Sequence, residues 1–351
     1  MIIKPVNLIW TKFTFQNREG WMNTGGPQFE IPEKPRKFWD MVANICTRTE
    51  GGAYAAYNGY DMAIASLGLL QFAGAVGGSP LMKLLKAFYD KDKELLVQLL
   101  MPGLNISKAT LKVINNDLFF FTDKPVTTQS DWCNLINGGA SGLIGSWDDK
   151  TKNISKIWAQ AFIDTASHPK FIEVQKEFYM NNIKNNYFLK ANLQIIDKFT
   201  GEKVLVKPSE ILQYSENTES MDVYQKACIA IFISYCANLP LYAIQNLYYT
   251  IGKNKNLSWR NKFIIFATKC GVESTIKEWP IRWKHISPIL QDDLGIDISL
   301  QNDDEITDKF IPIPITIDLE TKNTNDDITL SNKYNFLDII INFIKKLFNL
   351  F

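Results

Sequence analysis

The stretch that most limits how this chain can fold runs from Lys34 to Gln71. Phe38, Met41, Val42, Ile45 and Cys46 recur at the spacing of a helix with one buried face. Pro35 suits a first helical turn, where a missing N–H leaves no bond unmade. Glu50 follows the last periodic turn, and Gly51 and Gly52 then supply the left-handed residues that commonly close a helix. The spacing predicts a helix that stops on a carboxylate. Such a carboxylate lies near the negative pole of the helix dipole, which disfavours its ionised form. A carboxyl group that keeps its proton near neutral pH is what a general acid for glycoside cleavage requires. The plain structural alternative is a solvated Glu at a helix end.

Ser66, Leu67, Gly68, Leu69, Leu70 and Gln71 read S-x-G-L-x-Q, 16 to 21 residues beyond Glu50. A helix-terminal Glu followed by this segment resembles the goose-type lysozymes and soluble lytic transglycosylases. In that family a catalytic Glu ends a helix, and a later S-x-G-L-M-Q segment lines the same groove. The match runs from Ile45 to Gln71. It implies a mainly α, lysozyme-like helical domain with small β insertions, acting on the glycan strands of bacterial peptidoglycan. Glu50 takes the position of the acid, Ser66 and Gln71 would orient Glu50 or the sugar, and Gly68 and Leu69 would line the groove. Two departures stand out: Gly51 replaces the Ser that many members carry, and Leu70 replaces Met, an apolar swap that conserves volume.

Other candidates surround this pair. Tyr54, Tyr57 and Asn58 offer the aromatic faces and side-chain amide that sugar grooves use, because pyranose rings present apolar faces edged with hydroxyls; loop packing is the alternative. Asp61 is the nearest carboxylate after Glu50. An inverting hydrolase needs a second carboxylate roughly 6.5–9.5 Å from the acid to activate water, whereas lytic transglycosylases use the N-acetyl group of the substrate instead. Tyr248 and Tyr249, with Asn246, Thr250 and Gly252, resemble the residues of the far groove wall, although the family's Y-N-A-G is not present. Trp279, Arg282 and Trp283 form an aromatic and basic group suited to touching a muropeptide carboxylate, with core tryptophan and a surface Arg as the expected alternative.

A net charge of +1, from 38 basic and 37 acidic residues, gives no electrostatic reason to expect nucleic acid as a partner. The odd count of five cysteines without C-x-x-C spacing predicts buried thiols rather than disulfides. With His168 and His285 isolated, no ligand spacing predicts a metal, and no cofactor is expected. The N-terminal run, broken by Pro5, Asn7 and Lys12, does not read as a secretory signal. An enzyme acting on the cell wall would then need delivery by a phage, an injection particle, a holin or lysis.

In chain order, residues 1–33 read as an irregular or partly extended arm, and residues 1–300 as one lysozyme-like domain. Ser79 and Pro80 start one long helix. A hairpin is expected around Asn115, Asn116 and Asp117, a helix break at His168 and Pro169, and a second extended piece around Thr200 and Gly201. Further helices are expected over Asp222–Tyr235, Leu241–Ile251 and Ser258–Cys270. Residues 301–332 form a polar, acidic linker. Residues 333–351 form an amphipathic helix with a wide apolar arc, suited to packing back, to docking on a particle protein or to lying in a membrane interface. The expected function is cleavage of the β-1,4 bond between N-acetylmuramic acid and N-acetylglucosamine. The alternatives are a noncatalytic glycan-binding or structural particle component, a membrane-active effector working through the terminal helix, and a chitin-cleaving enzyme of the same acid chemistry.

Overall fold

The computed structural model describes residues 10–15, 18–23, 25–34, 36–50, 52–58, 65–74, 78–137, 149–276 and 279–298. Pro35, Gly51, Asp61, the 301–332 linker and the 333–351 helix lie outside them. The described chain is mainly helical with small antiparallel sheets. The stretch read as one domain falls into two compact units: residues up to Ile31 with Thr47–Asn181, and Pro32–Cys46 with the chain from Asn182 on. Helix α1 (Phe38–Glu50) crosses the division between Cys46 and Thr47. Its periodic residues Phe38, Met41, Val42, Ile45 and Cys46 are buried, it ends on Glu50, and Gly52 takes the left-handed φ of +77°.

In the first unit the N-terminal arm is more regular than expected. Strands β1 (Trp10–Phe15) and β2 (Arg18–Asn23) pair as a hairpin, and β2 continues through β3 (Tyr57–Asn58), β4 (Ser66–Leu67) and β5 (Phe72–Ala73) into a five-stranded antiparallel sheet. Trp10, Phe13, Phe15 and Trp21 are residue types that favour strands, but they do not alternate strictly, and Pro5 and Gly20 interrupt the run, so the hairpin was not legible as a period-2 pattern. Helix α2 (Pro80–Lys91) begins as expected, with the Ser79 hydroxyl accepting the Met82 N–H at 3.4 Å. The single long helix is instead two: Asp92 leaves helical geometry, and its carboxylate caps α3 (Lys93–Ile106) by accepting the Leu95 N–H at 3.1 Å. Strands β6 (Thr110–Ile114) and β7 (Asp117–Phe121) form the expected hairpin. Asn115 and Asn116 both hold positive φ, as a two-residue turn matching strand twist requires. Helices α4 (Gln129–Asn137), α5 (Asp149–Ser167) and α6 (Pro169–Asn181) follow, the last two parted at His168. Their core is aromatic: Trp158 packs edge-on to Phe120 at 5.2 Å, and a Cβ at Gly103 would sit 2.5 Å from its indole. Only a glycine lets α3 approach that ring so closely.

The second unit continues α6 as a π-helical segment over Asn182–Leu189, then forms the hairpin β8 (Leu193–Ile196) and β9 (Lys203–Val206) and the short α7 (Pro208–Ile211). Helix α8 (Val223–Asn238) opens with a capping box between Asp222 and Gln225, and every residue from Ala227 to Cys236 is buried. A helix apolar on all sides belongs at the centre of a bundle. Around it lie α9 (Pro240–Leu247), α10 (Trp259–Ala267) and α11 (Trp279–Leu294), with π-helical turns at Tyr248–Gly252 and Thr268–Val272. Arg282 is buried with Trp279 and Trp283, where a surface Arg was expected. Arg36 pairs with Asp293 at 2.6 Å and Lys34 with Asp292 at 2.8 Å, fixing the strand of chain before α1 to the end of α11. No disulfide links the five cysteines, four of which are buried.

Candidate active site

The residues just after Glu50 and the S-x-G-L-x-Q segment are built into one piece of backbone within the first unit. Phe29 N–H donates to the Gly52 carbonyl at 3.0 Å and Tyr54 N–H to the Pro27 carbonyl at 2.9 Å, so the chain leaving α1 runs beside residues 27–29. Four residues on, the Ala56 carbonyl accepts the Gly68 N–H at 2.7 Å. Tyr57 then pairs with Leu67 and Asn58 with Ser66. Gly68 holds φ +84°, and the turn closes when Gln71 N–H donates to the Gly68 carbonyl at 3.0 Å.

Helix α6 fastens this assembly from behind. Gln175, fully buried, accepts the Leu69 N–H on Oε1 at 2.9 Å and donates from Nε2 to the Tyr54 carbonyl at 3.1 Å. One turn further on, the Tyr179 hydroxyl lies 2.6 Å from Thr47 Oγ1, three residues before Glu50. A Cβ at Gly68 would sit 2.1 Å from Gln175 Oε1, so the glycine serves both the left-handed turn and this contact. Neither Gln175 nor Tyr179 was singled out in the sequence. The signal was there: Gln175 is an amide on the apolar face that Phe171, Val174 and Tyr179 define.

Glu50 is half-buried, with Oε1 shielded from solvent. Gln71 is also half-buried and holds φ +48°, an uncommon conformation for a residue with a side chain. Its Nε2 donates to the carbonyls of Gly68 at 3.1 Å and Ala56 at 3.3 Å. Its Oε1 is buried and has no hydrogen-bond partner among the described residues. The other expected groove residues are core. Ser66 and Leu69 are buried, Tyr57 stacks on Phe162 at 6.2 Å, and Tyr54 packs on Phe29 at 6.3 Å, its hydroxyl pushed up by burial and by the charge of Glu30. Asn58 is 8 % exposed. These side chains hold the frame in place; Glu50 and Gln71 are the two that keep partial access.

Tyr248 and Tyr249 belong to the second unit and are engaged there. Tyr248 donates to Asp197 at 2.6 Å, while the Tyr249 hydroxyl accepts the Lys198 N–H at 3.0 Å. A cavity of about 460 Å³ lies elsewhere in the first unit, between Ser107, Val126, Asp131 and Leu135, and no residue of the Glu50–Gln71 segment lines it. No grouping of metal-ligating side chains occurs among the described residues, and none of their helices is long and apolar enough to cross a membrane. Searches of protein-family models, curated proteins and solved structures found no match to this chain.

Proposed function

We propose that the chain cleaves the β-1,4 bond between N-acetylmuramic acid and N-acetylglucosamine in peptidoglycan, with Glu50 as the general acid. The observation that carries this reading is the 2.7 Å hydrogen bond from Gly68 to Ala56, which docks the S-x-G-L-x-Q turn on the loop leaving the Glu50 helix. The Oε1 of Gln71, which has no hydrogen-bond partner among the described residues, supports it. A buried acceptor without a donor costs about 1–3 kcal/mol and is the kind of group a sugar hydroxyl or acetamido N–H satisfies. In the reaction, Glu50 gives its proton to the glycosidic oxygen as the C1–O bond breaks. Water then adds to C1 in a hydrolase, with its proton passing to a carboxylate. In a transglycosylase the C6 hydroxyl adds instead and returns its proton to Glu50, leaving a 1,6-anhydro end. Asp61 is the local candidate for a second carboxylate.

The burial of Ser66, Tyr54 and Tyr57 favours a second reading, a noncatalytic glycan-binding or structural component built on the same frame. Dye release from labelled, purified cell walls separates the two. Under the enzymatic reading Glu50→Gln lowers the rate by about a hundredfold or more, and Gln71→Ala weakens substrate use mainly through KM by about tenfold. A wild-type rate equal to that of Glu50→Gln would leave only the binding role.

A further inference from the structure

Among the described residues, the hairpin β8–β9 presents an exposed apolar surface. Its strand register puts Leu193, Ile195, Val204 and Val206 on one face, with Ile195 and Val206 buried. Gln194, Ile196, Lys203 and Leu205 occupy the other, and all four are exposed. Ile196 is 63 % exposed, Leu205 55 %, and Phe199 at the tip 52 %. Three of the nine large apolar side chains exposed among the described residues therefore fall within ten residues of chain. Clustering of this kind marks a surface that something covers.

The surroundings are cationic. Lys198 and Lys203 are exposed on the hairpin and Lys190 just before it. Glu202 is the acidic residue facing water there, Lys207 is paired with Glu210, and Asp197 is 1 % exposed and bonded to Lys253 and Tyr248. That buried cluster also makes the tip rigid: Asp197 accepts the Phe199 N–H at 2.9 Å, the Tyr249 hydroxyl accepts the Lys198 N–H, and the Phe199 ring packs edge-on to Tyr249 at 6.0 Å. Ile196 and Phe199 are thus displayed on a fixed frame.

From this arrangement we infer that β8–β9 is a docking surface for an anionic phospholipid bilayer, with Ile196, Phe199 and Leu205 entering the headgroup region and Lys203 meeting lipid phosphates. Size and charge favour lipid over protein. Two paired four-residue strands make a patch about 13 Å long and about 10 Å wide, on the order of 130 Å², well short of the roughly 800 Å² per partner that a stable protein interface buries. Interfacial membrane binding needs only a few apolar side chains together with lysines that see the negative surface potential. The surface is independent of the Glu50 reading, and Glu50→Gln leaves it intact.

The test is sedimentation of the full chain with vesicles of phosphatidylethanolamine containing phosphatidylglycerol, and separately with phosphatidylcholine vesicles. The expected result is binding to the anionic vesicles that weakens with salt. Replacing Ile196, Phe199 and Leu205 together by Ser should lower partitioning by at least about tenfold. Lys203→Glu, which leaves the apolar residues in place, should lower it on anionic vesicles alone. Circular dichroism establishes that each variant is folded, and Phe199→Ser alone serves if the triple variant is not. Because every variant keeps residues 333–351, loss of binding assigns it to the hairpin. Wild-type indifference to anionic vesicles, unchanged binding by the folded variants, or a change from dimer to monomer without any vesicle effect would each overturn the inference.

Discussion

Two single residues, Gly68 and Gln175, hold the S-x-G-L-x-Q turn in place. A β-carbon at Gly68 meets both a left-handed backbone and Gln175 Oε1 at 2.1 Å, so Gly68→Ala is expected to destabilise the chain by roughly 2 kcal/mol or more. Gln175→Leu leaves the Leu69 N–H and the Tyr54 carbonyl without their partner and is expected to cost about 2 kcal/mol. Because the two substitutions break one contact, their effects measured by urea denaturation should sum to more than the double variant shows. Strict additivity would mean that the contact does not hold the turn. The glycine was legible in the sequence as part of a motif. Its partner was not, because 107 positions separate them and only packing brings them together.

Among the elements, the hairpin β6–β7 shows what local chemistry alone can fix. Asn115 and Asn116 were readable as its turn because asparagine tolerates positive φ, which both residues adopt. Asn116, at φ +68°, should accept glycine with a gain of up to about 1 kcal/mol, and Asn116→Val should lose at least as much, read as opposite shifts in melting temperature. Equal melting temperatures for the two variants would contradict the turn assignment. Helix α1, its terminal Glu50 and the break at His168 were likewise written in periodicity and capping residues. The split at Asp92 was not, since an apolar helical pattern continues across it. It takes the aspartate's competition for the Leu95 N–H, and its pairing with Lys170 at 2.8 Å, to break the helix there.

For the molecule as a whole, the sequence indicated a mainly helical chain but not its division into two units, because that depends on which helices meet. Nor did it reveal the buried cluster around Asp197. Burial by itself would raise that carboxyl, but the hydrogen bonds from Lys253 and Tyr248 outweigh it and hold it at about 2. A carboxyl lowered in the folded state stabilises it fully above its ordinary range near 4, and that contribution is lost as pH falls towards 2. Asp197→Asn should therefore cost about 2 kcal/mol at neutral pH, and the gap between the two proteins should narrow in acid. A gap independent of pH would show that the charge of Asp197 does not stabilise the fold. Mass spectrometry of purified peptidoglycan, after incubation with the wild-type chain and with Glu50→Gln, reads out whether Glu50 donates the proton that breaks a glycan chain. Disaccharide fragments are expected from the wild type alone, with reducing ends from a hydrolase or 1,6-anhydro ends, lighter by one water, from a transglycosylase. Intact glycan strands after incubation with the folded wild-type chain, or the same fragments from Glu50→Gln, would contradict that role.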